Sequence, residues 1–118
     1  HATRTSMGAT PSPKSAATIP AYEVLPDLEE YLTGAIFGDL WGRDQLPLKM
    51  RSAVTLATLA VQGREVEMRG HIGYALNLGW SMEEIAEIFF HVLPYGGAPV
   101  ALGALRVAHS IFKERGLL

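Results

Sequence analysis

From about residue 26 onward, apolar positions recur at helical spacing and not in alternation. Leu28, Tyr31, Leu32, Ala35 and Ile36 predict a helix over 26–37. The run Phe37-Gly38-Asp39-Leu40-Trp41-Gly42-Arg43 then reads as a glycine-punctuated aromatic turn. Leu46 and Pro47 open the next helix, with Pro47 suited to its first turn. Residues 48–61 are apolar nearly all round, so that helix is expected to be buried on more than one side, and Gln62-Gly63 ends it. A third helix runs over 64–78 and is stopped by Gly79 at a C′-like position. Ser81-Met82-Glu83-Glu84 has the pattern of a capping box, with Ser81 as N-cap and Glu84 at N3. The helix behind it carries Met82, Ile85, Ala86, Phe89, Val92 and Leu93 on one stripe until Pro94-Tyr95-Gly96-Gly97 breaks it. Pro99 starts a last helix, which runs to about Arg115 and is closed by Gly116. No alternating run supports a strand. The expected fold class is all-α, a compact domain of about five helices joined by short turns.

Residues 1–20 are rich in Ala, Thr, Ser and Pro and lack any apolar period. They read as a flexible N-terminal arm ahead of a helical domain over 21–118. The start has no apolar core of a secretory signal, and charges and glycines break every apolar run well short of the roughly 18 residues a membrane span needs. A cytoplasmic protein without a membrane partner is the expectation. Apolar residues make up 48% of the 118 residues and charged residues only 19%. A domain this small has much surface to cover, so the ratio favours a homo-oligomer whose subunits bury helices against each other. The net charge of −2 supplies no basic field for nucleic acid, and a small anionic substrate would need local arginines. The absence of cysteine removes disulfides, thiolate metal sites and thiol nucleophiles.

The candidate chemistry lies on two helices. Arg64, Glu67 and His71 fall at i, i+3 and i+7 and share one helix face. Either Glu67 orients His71 for proton transfer while Arg64 holds a carboxylate, or the three form a surface charge cluster. His91 follows Glu84 and Glu87 at one- and two-turn spacing among apolar neighbours. It is either a core histidine bonded to a carbonyl or to Glu87, or a second proton-transfer group facing the pocket of His71. Arg51 interrupts an apolar helix and needs an anion there; a structural glutamate such as Glu84 or Glu87 is slightly favoured over a substrate carboxylate. Tyr95 stands beside two glycines, where backbone approaches a ligand closely, and reads as pocket wall or hydroxyl donor. Trp41 and Phe37 read as core or pocket lining. Glu67 and His71 alone make a weak metal signal, and no metal site is expected. His109, near Arg106 and Lys113, is expected to face solvent.

Several segments together resemble the carboxymuconolactone decarboxylase family, which shares its fold with alkylhydroperoxidase D. They are Phe37-Gly38-Asp39-Leu40-Trp41 with Arg43, Leu48-Lys49-Met50-Arg51-Ser52, and Gly63-Arg64-Glu65 with His71. Ala75-Leu76-Asn77-Leu78-Gly79, Glu83-Glu84-Ile85, His91-Val92-Leu93-Pro94-Tyr95-Gly96-Gly97 and Pro99 follow in order. The peroxidase branch of that fold carries a Cys-x-x-Cys pair whose second cysteine lies four residues before the histidine. Anchored on His71, those positions hold Arg64 and Glu67, so a dithiol cycle is impossible.

The resemblance implies the decarboxylase branch, an alkylhydroperoxidase D-like fold and ring-shaped oligomers, trimers or hexamers. It implies a carboxy-lyase without a cofactor, acting in aromatic compound degradation on 4-carboxymuconolactone or a similar carboxylated lactone. His71, Glu67 and His91 would be the catalytic groups, and Arg64, Arg51, Tyr95 and Trp41 would bind substrate. The alternatives are an isomerase or cyclase of another small cyclic acid on the same scaffold, or a non-catalytic binding module.

Overall fold

The computed structural model describes residues 19–118. The expected arm therefore lies outside the described residues, except for Ile19 and Pro20, which open the first helix. The elements are α1 (Ile19–Val24), α2 (Asp27–Leu32), a π-helical segment (Thr33–Leu40), α3 (Leu48–Gln62), α4 (Glu65–Asn77), α5 (Met82–His91), α6 (Leu93–Gly96) and α7 (Ala98–Glu114). All regular structure among the described residues is helical, as the spacing of apolar positions predicts.

Four local expectations change. The single helix over 26–37 is two pieces, because α2 passes directly into the π-helical segment. That segment replaces the expected aromatic turn, and the Trp41 N–H donates five residues back to the Ile36 carbonyl at 2.8 Å. The wider winding turns the chain so that Trp41 is buried. Pro47 is the N-cap of α3, with an extended ψ of 147°, and does not lie in the first turn. Pro94 does not simply end α5; it sits in α6, a single helical turn that carries the chain to α7.

The helix ends follow from their capping chemistry. Gly63 takes φ +68° at the end of α3, and the next amide, Arg64, donates to the Leu59 carbonyl at 2.9 Å. Gly79 takes φ +100° past α4, and the Trp80 amide donates to the Ala75 carbonyl at 3.1 Å. A left-handed residue followed by this six-to-one bond satisfies carbonyls the helix leaves open, and a side chain would strain it. At the other end of the next helix, Ser81 Oγ accepts from the Glu84 amide at 3.0 Å. Glu84 Oε1 accepts from the Ser81 amide at 2.9 Å, so the capping box forms as the sequence implies. The same amide holds the exposed Glu84 carboxyl below its ordinary pKa.

The main core joins four helices. Leu56 and Ala60 of α3, Met68, Ile72 and Ala75 of α4, Ile85 and Phe89 of α5, and Ala104, Val107, Ala108 and Ile111 of α7 pack together. The α7 positions recur at i, i+3, i+4 and i+7, the stripe of a helix buried on one face. The short connection at Gly63 folds α4 back along α3. Trp80, just past α4, confirms the antiparallel register: its Nε1 donates to the Lys49 carbonyl and to Ser52 Oγ, each at 2.9 Å. Ser52 is the buried polar residue of α3, and its hydroxyl also donates to the Lys49 carbonyl at 2.6 Å. Farther along, Arg69 of α4 donates to Ser110 at 3.1 Å and pairs with Glu114 of α7.

A smaller cluster forms where the π-helical segment meets the open end of this hairpin. Trp41 and Tyr74 are its buried members, with Ile36, Phe37, Leu48 and Leu78 around them. Large apolar side chains stay exposed on other faces, among them Val54, Phe90, Tyr95 and Leu102. Among the described residues, no helix is long and apolar enough to cross a membrane.

Candidate functional site

The second cluster adjoins candidate site residues. The indole of Trp41 packs against the imidazole of His71, with ring centroids 6.1 Å apart, and against Tyr74 at 5.7 Å. Phe37 closes on Trp41 from the π-helical side at 5.7 Å. His71 and Tyr74 are three residues apart on α4 and so lie on one face. Leu48, one turn before Arg51 on α3, packs into the same cluster. Because Trp80 bonds to Lys49 and Ser52, the antiparallel register sets Arg51 level with the last turns of α4.

Among the described residues, the buried side-chain nitrogen and oxygen atoms without a hydrogen-bond partner are Arg51 Nε, His71 Nδ1 and Tyr74 Oη. All three belong to the α3–α4 pair. Leaving a buried polar atom unpaired costs on the order of 1–3 kcal/mol, so three on one helix pair require an explanation. Carbonyl or carboxylate oxygens of a ligand would satisfy the Arg51 and Tyr74 protons, and His71 Nδ1 is left free to accept or donate according to its tautomer.

The electrostatics of His71 follow from its position. Burial lowers its pKa from 6.5 to about 4, and the nearby negative charge of Glu67 opposes the shift without cancelling it. The ring is therefore neutral at pH 7. Glu67 acts on it by charge alone, since His71 Nδ1 has no hydrogen-bond partner and Glu67 is exposed. The expectation that Glu67 orients the ring gives way to this longer-range effect. Burial also pushes the Tyr74 phenol above its ordinary pKa, so it keeps its proton.

Arg51 does not have the structural partner favoured from sequence. Glu84 is engaged in the capping box, Glu87 lines a different groove, and no ion pair joins Arg51 to a carboxylate among the described residues. Arg64 is the N-cap residue of α4 and is exposed, so it stands at the head of the helix outside the Trp41 cluster.

His91 and Tyr95 lie elsewhere in the chain. Both are exposed, Tyr95 to 74%, and their rings meet at 5.6 Å. His91 lines a groove of about 540 Å³ with Ala57, Trp80, Glu83, Glu84, Glu87 and Ile88. No ring contact joins it to His71, so within one chain the two histidines have separate surroundings. Neither alternative of a core histidine nor one sharing His71's pocket describes its setting. His109 is exposed, as its charged neighbours suggest. Among the described residues, no group of three or more His, Asp or Glu side chains is placed to hold a metal ion.

Tyr74 is the member of this cluster that sequence reasoning passed over. The signal was present: Glu67, His71 and Tyr74 fall at i, i+4 and i+7 on one face. The missing information was that Trp41 would reach across from a segment thirty positions earlier in the chain and cover both rings.

The described residues thus form an all-helical domain in which a histidine and a phenol of one helix pack on a buried indole. The profile of the Carboxymuconolactone decarboxylase family matches residues 26–110, and the chain belongs to that family. It is 34% identical over 91 residues to a 4-carboxymuconolactone decarboxylase of Acinetobacter baylyi, a match that covers 77% of this chain and 68% of that protein. An uncharacterized 15.0 kDa protein of Paracoccus denitrificans is 31% identical over 94 residues, covering 78% of this chain and 70% of its own length. A nitrosuccinic acid decarboxylase of Metarhizium robertsii is 30% identical over 86 residues, covering 73% and 60% respectively.

Proposed function

We propose that the protein is a decarboxylase of small carboxylated acids, with 4-carboxymuconolactone or a similar carboxylated lactone as substrate. The observation that carries this reading is the set of unpaired buried polar atoms on His71 and Tyr74, whose rings pack on Trp41, and on Arg51 of the adjoining helix α3. Two relatives named as decarboxylases support the reaction class. Their named substrates share one chemical feature: an electron-withdrawing group, a lactone system in one and a nitro group in the other, can take up the electron pair that departing CO2 leaves.

In this reading the Arg51 guanidinium binds a carboxylate of the substrate, since an arginine with no protein counter-ion is a ready anion site. Trp41 and Phe37 supply an apolar wall. His71 starts as a neutral base, and the negative charge of the bound substrate raises its pKa so that it takes up a proton from solvent. The bond from the ring carbon to the carboxylate breaks, CO2 leaves, and the electron pair moves into the conjugated carbonyl as an enolate. His71 then returns its proton to carbon and the neutral imidazole is restored. Glu67 favours the charged ring at its midpoint. Arg64, exposed at the head of α4, guides anions inward, and the chemistry is carried by side chains without a cofactor. The exposed Phe90, Tyr95 and Leu102 are expected to be covered in a homo-oligomer, which sedimentation velocity measures directly.

The test is turnover of enzymatically generated 4-carboxymuconolactone, with CO2 release and lactone product followed together in wild-type protein and His71→Gln. Rapid release that falls by a factor of about 100 or more in the variant supports the reading. Unchanged turnover in His71→Gln would remove His71 from the chemistry, and no release by folded wild-type protein would remove this substrate.

A further inference from the structure

We propose that Tyr74 is a catalytic hydrogen-bond donor, its phenol aimed at the substrate oxygen that becomes negatively charged as CO2 leaves. The inference rests on the decarboxylase reading above and deepens it by assigning the group that stabilises the enolate.

Tyr74 is 2% exposed, and its hydroxyl has no partner. A phenylalanine would fill the same space against Trp41 without burying an unpaired hydroxyl, so packing accounts for the ring and not for the oxygen. Trp41 touches both Tyr74 and His71, which places the phenol and the imidazole along one indole face region on the same helix. The indole thus carries a base and a hydroxyl donor side by side on one helix face, the pair that the proposed reaction uses.

The chemistry requires a donor of this kind. When the carbon–carboxylate bond breaks, its electron pair passes through the conjugated system to a carbonyl oxygen. That oxygen gains charge inside an apolar cluster, where water does not solvate it. A donor already fixed in place lowers the barrier without reorganising. Tyr74 keeps its proton throughout, because the desolvation that leaves its hydroxyl unpaired also opposes ionisation. Charge goes to the substrate oxygen, CO2 leaves neutral, and the proton added to carbon comes from His71. The same donor serves a nitro oxygen, which gains charge as a nitronate, so one device fits both substrate classes named among the relatives.

Tyr74→Phe tests the assignment, because it removes only the hydroxyl. Expected are a fall in kcat by roughly 100- to 1,000-fold, little change in KM, and thermal stability equal to or above wild type. A structural role would instead lower stability and leave kcat per folded molecule unchanged. A second measurement is independent of turnover: the affinity of propionate 3-nitronate, a stable anion whose charge lies on the nitro oxygens, by calorimetry. The nitronate should bind Tyr74→Phe at least ten-fold more weakly than wild type, whereas succinate, which has no such oxygen, should bind both equally. Wild-type kcat in Tyr74→Phe overturns the proposal. If wild-type protein turns over neither 4-carboxymuconolactone nor nitrosuccinate, the decarboxylase reading fails, and equal nitronate affinity in the two proteins, or no nitronate binding by either, then overturns the donor role as well.

Discussion

The neutral state of half-buried His71 makes the protein's stability depend on pH. The pKa of the ring is 6.5 in the unfolded chain and about 4 in the folded protein. Between these values the unfolded chain binds a proton that the native protein refuses, so the folded state loses ground as pH falls. The stabilisation is fully present above pH 6.5 and disappears progressively toward pH 4. Linkage gives a loss of roughly 2 kcal/mol by pH 5 and roughly 3 kcal/mol by pH 4. Other carboxylates also titrate in this range, so the quantity to measure is a difference. Urea unfolding of wild type and His71→Gln at pH 7, 6, 5 and 4 isolates it, because glutamine fills similar space and does not titrate. Relative to its value at pH 7, the stability of wild type should fall behind that of the variant by about 3 kcal/mol at pH 4. Parallel profiles would show that the ring titrates in the native protein as it does in the unfolded chain, and the account of a neutral base awaiting an anion would fail with them.

Two further outcomes follow from the same packing. Arg51→Met should change unfolding free energy by less than about 1 kcal/mol, since no protein carboxylate loses a partner, while raising KM for a carboxylated substrate at least ten-fold; a large loss of stability measured by urea titration would reveal a structural anion instead. Trp80→Phe removes the donor shared by the Lys49 carbonyl and Ser52 Oγ and weakens the stacking of the Lys49 ammonium, 4.6 Å from the indole. Its expected cost is about 1–3 kcal/mol in thermal or urea unfolding, and an unchanged midpoint would show that the α3–α4 register is held by the apolar core alone.

The site was legible in proportion to how local its residues are. Glu67, His71 and Tyr74 share a helix, and period alone sets them on one face. Arg51 stood out because a charge in an apolar helix demands a partner, but sequence offered Glu84 and Glu87 as readily as a ligand. Only the packed structure shows Glu84 consumed by the capping box and Glu87 in another groove. His91 illustrates the opposite error. Its apolar neighbours Phe89 and Val92 are buried, yet a residue between them on a helix points a different way, and His91 emerges beside exposed Tyr95.

By itself the sequence determined the all-helical class, the span of each long helix, the capping box at Ser81 and the turns at Gly63 and Gly79. These are short-range matters, set by periodicity, by the hydrogen bonds of helix ends and by the freedom of glycine at positive φ. Tertiary structure decided the winding of Thr33–Leu40 and the burial of Trp41 over His71 and Tyr74. It also decided which polar groups stay unpaired. Desolvation depends on atoms brought from distant parts of the chain, and no local pattern records it. The low pKa of His71 and the unpaired hydroxyl of Tyr74 therefore arise only when α3, α4 and the π-helical segment have closed on one another.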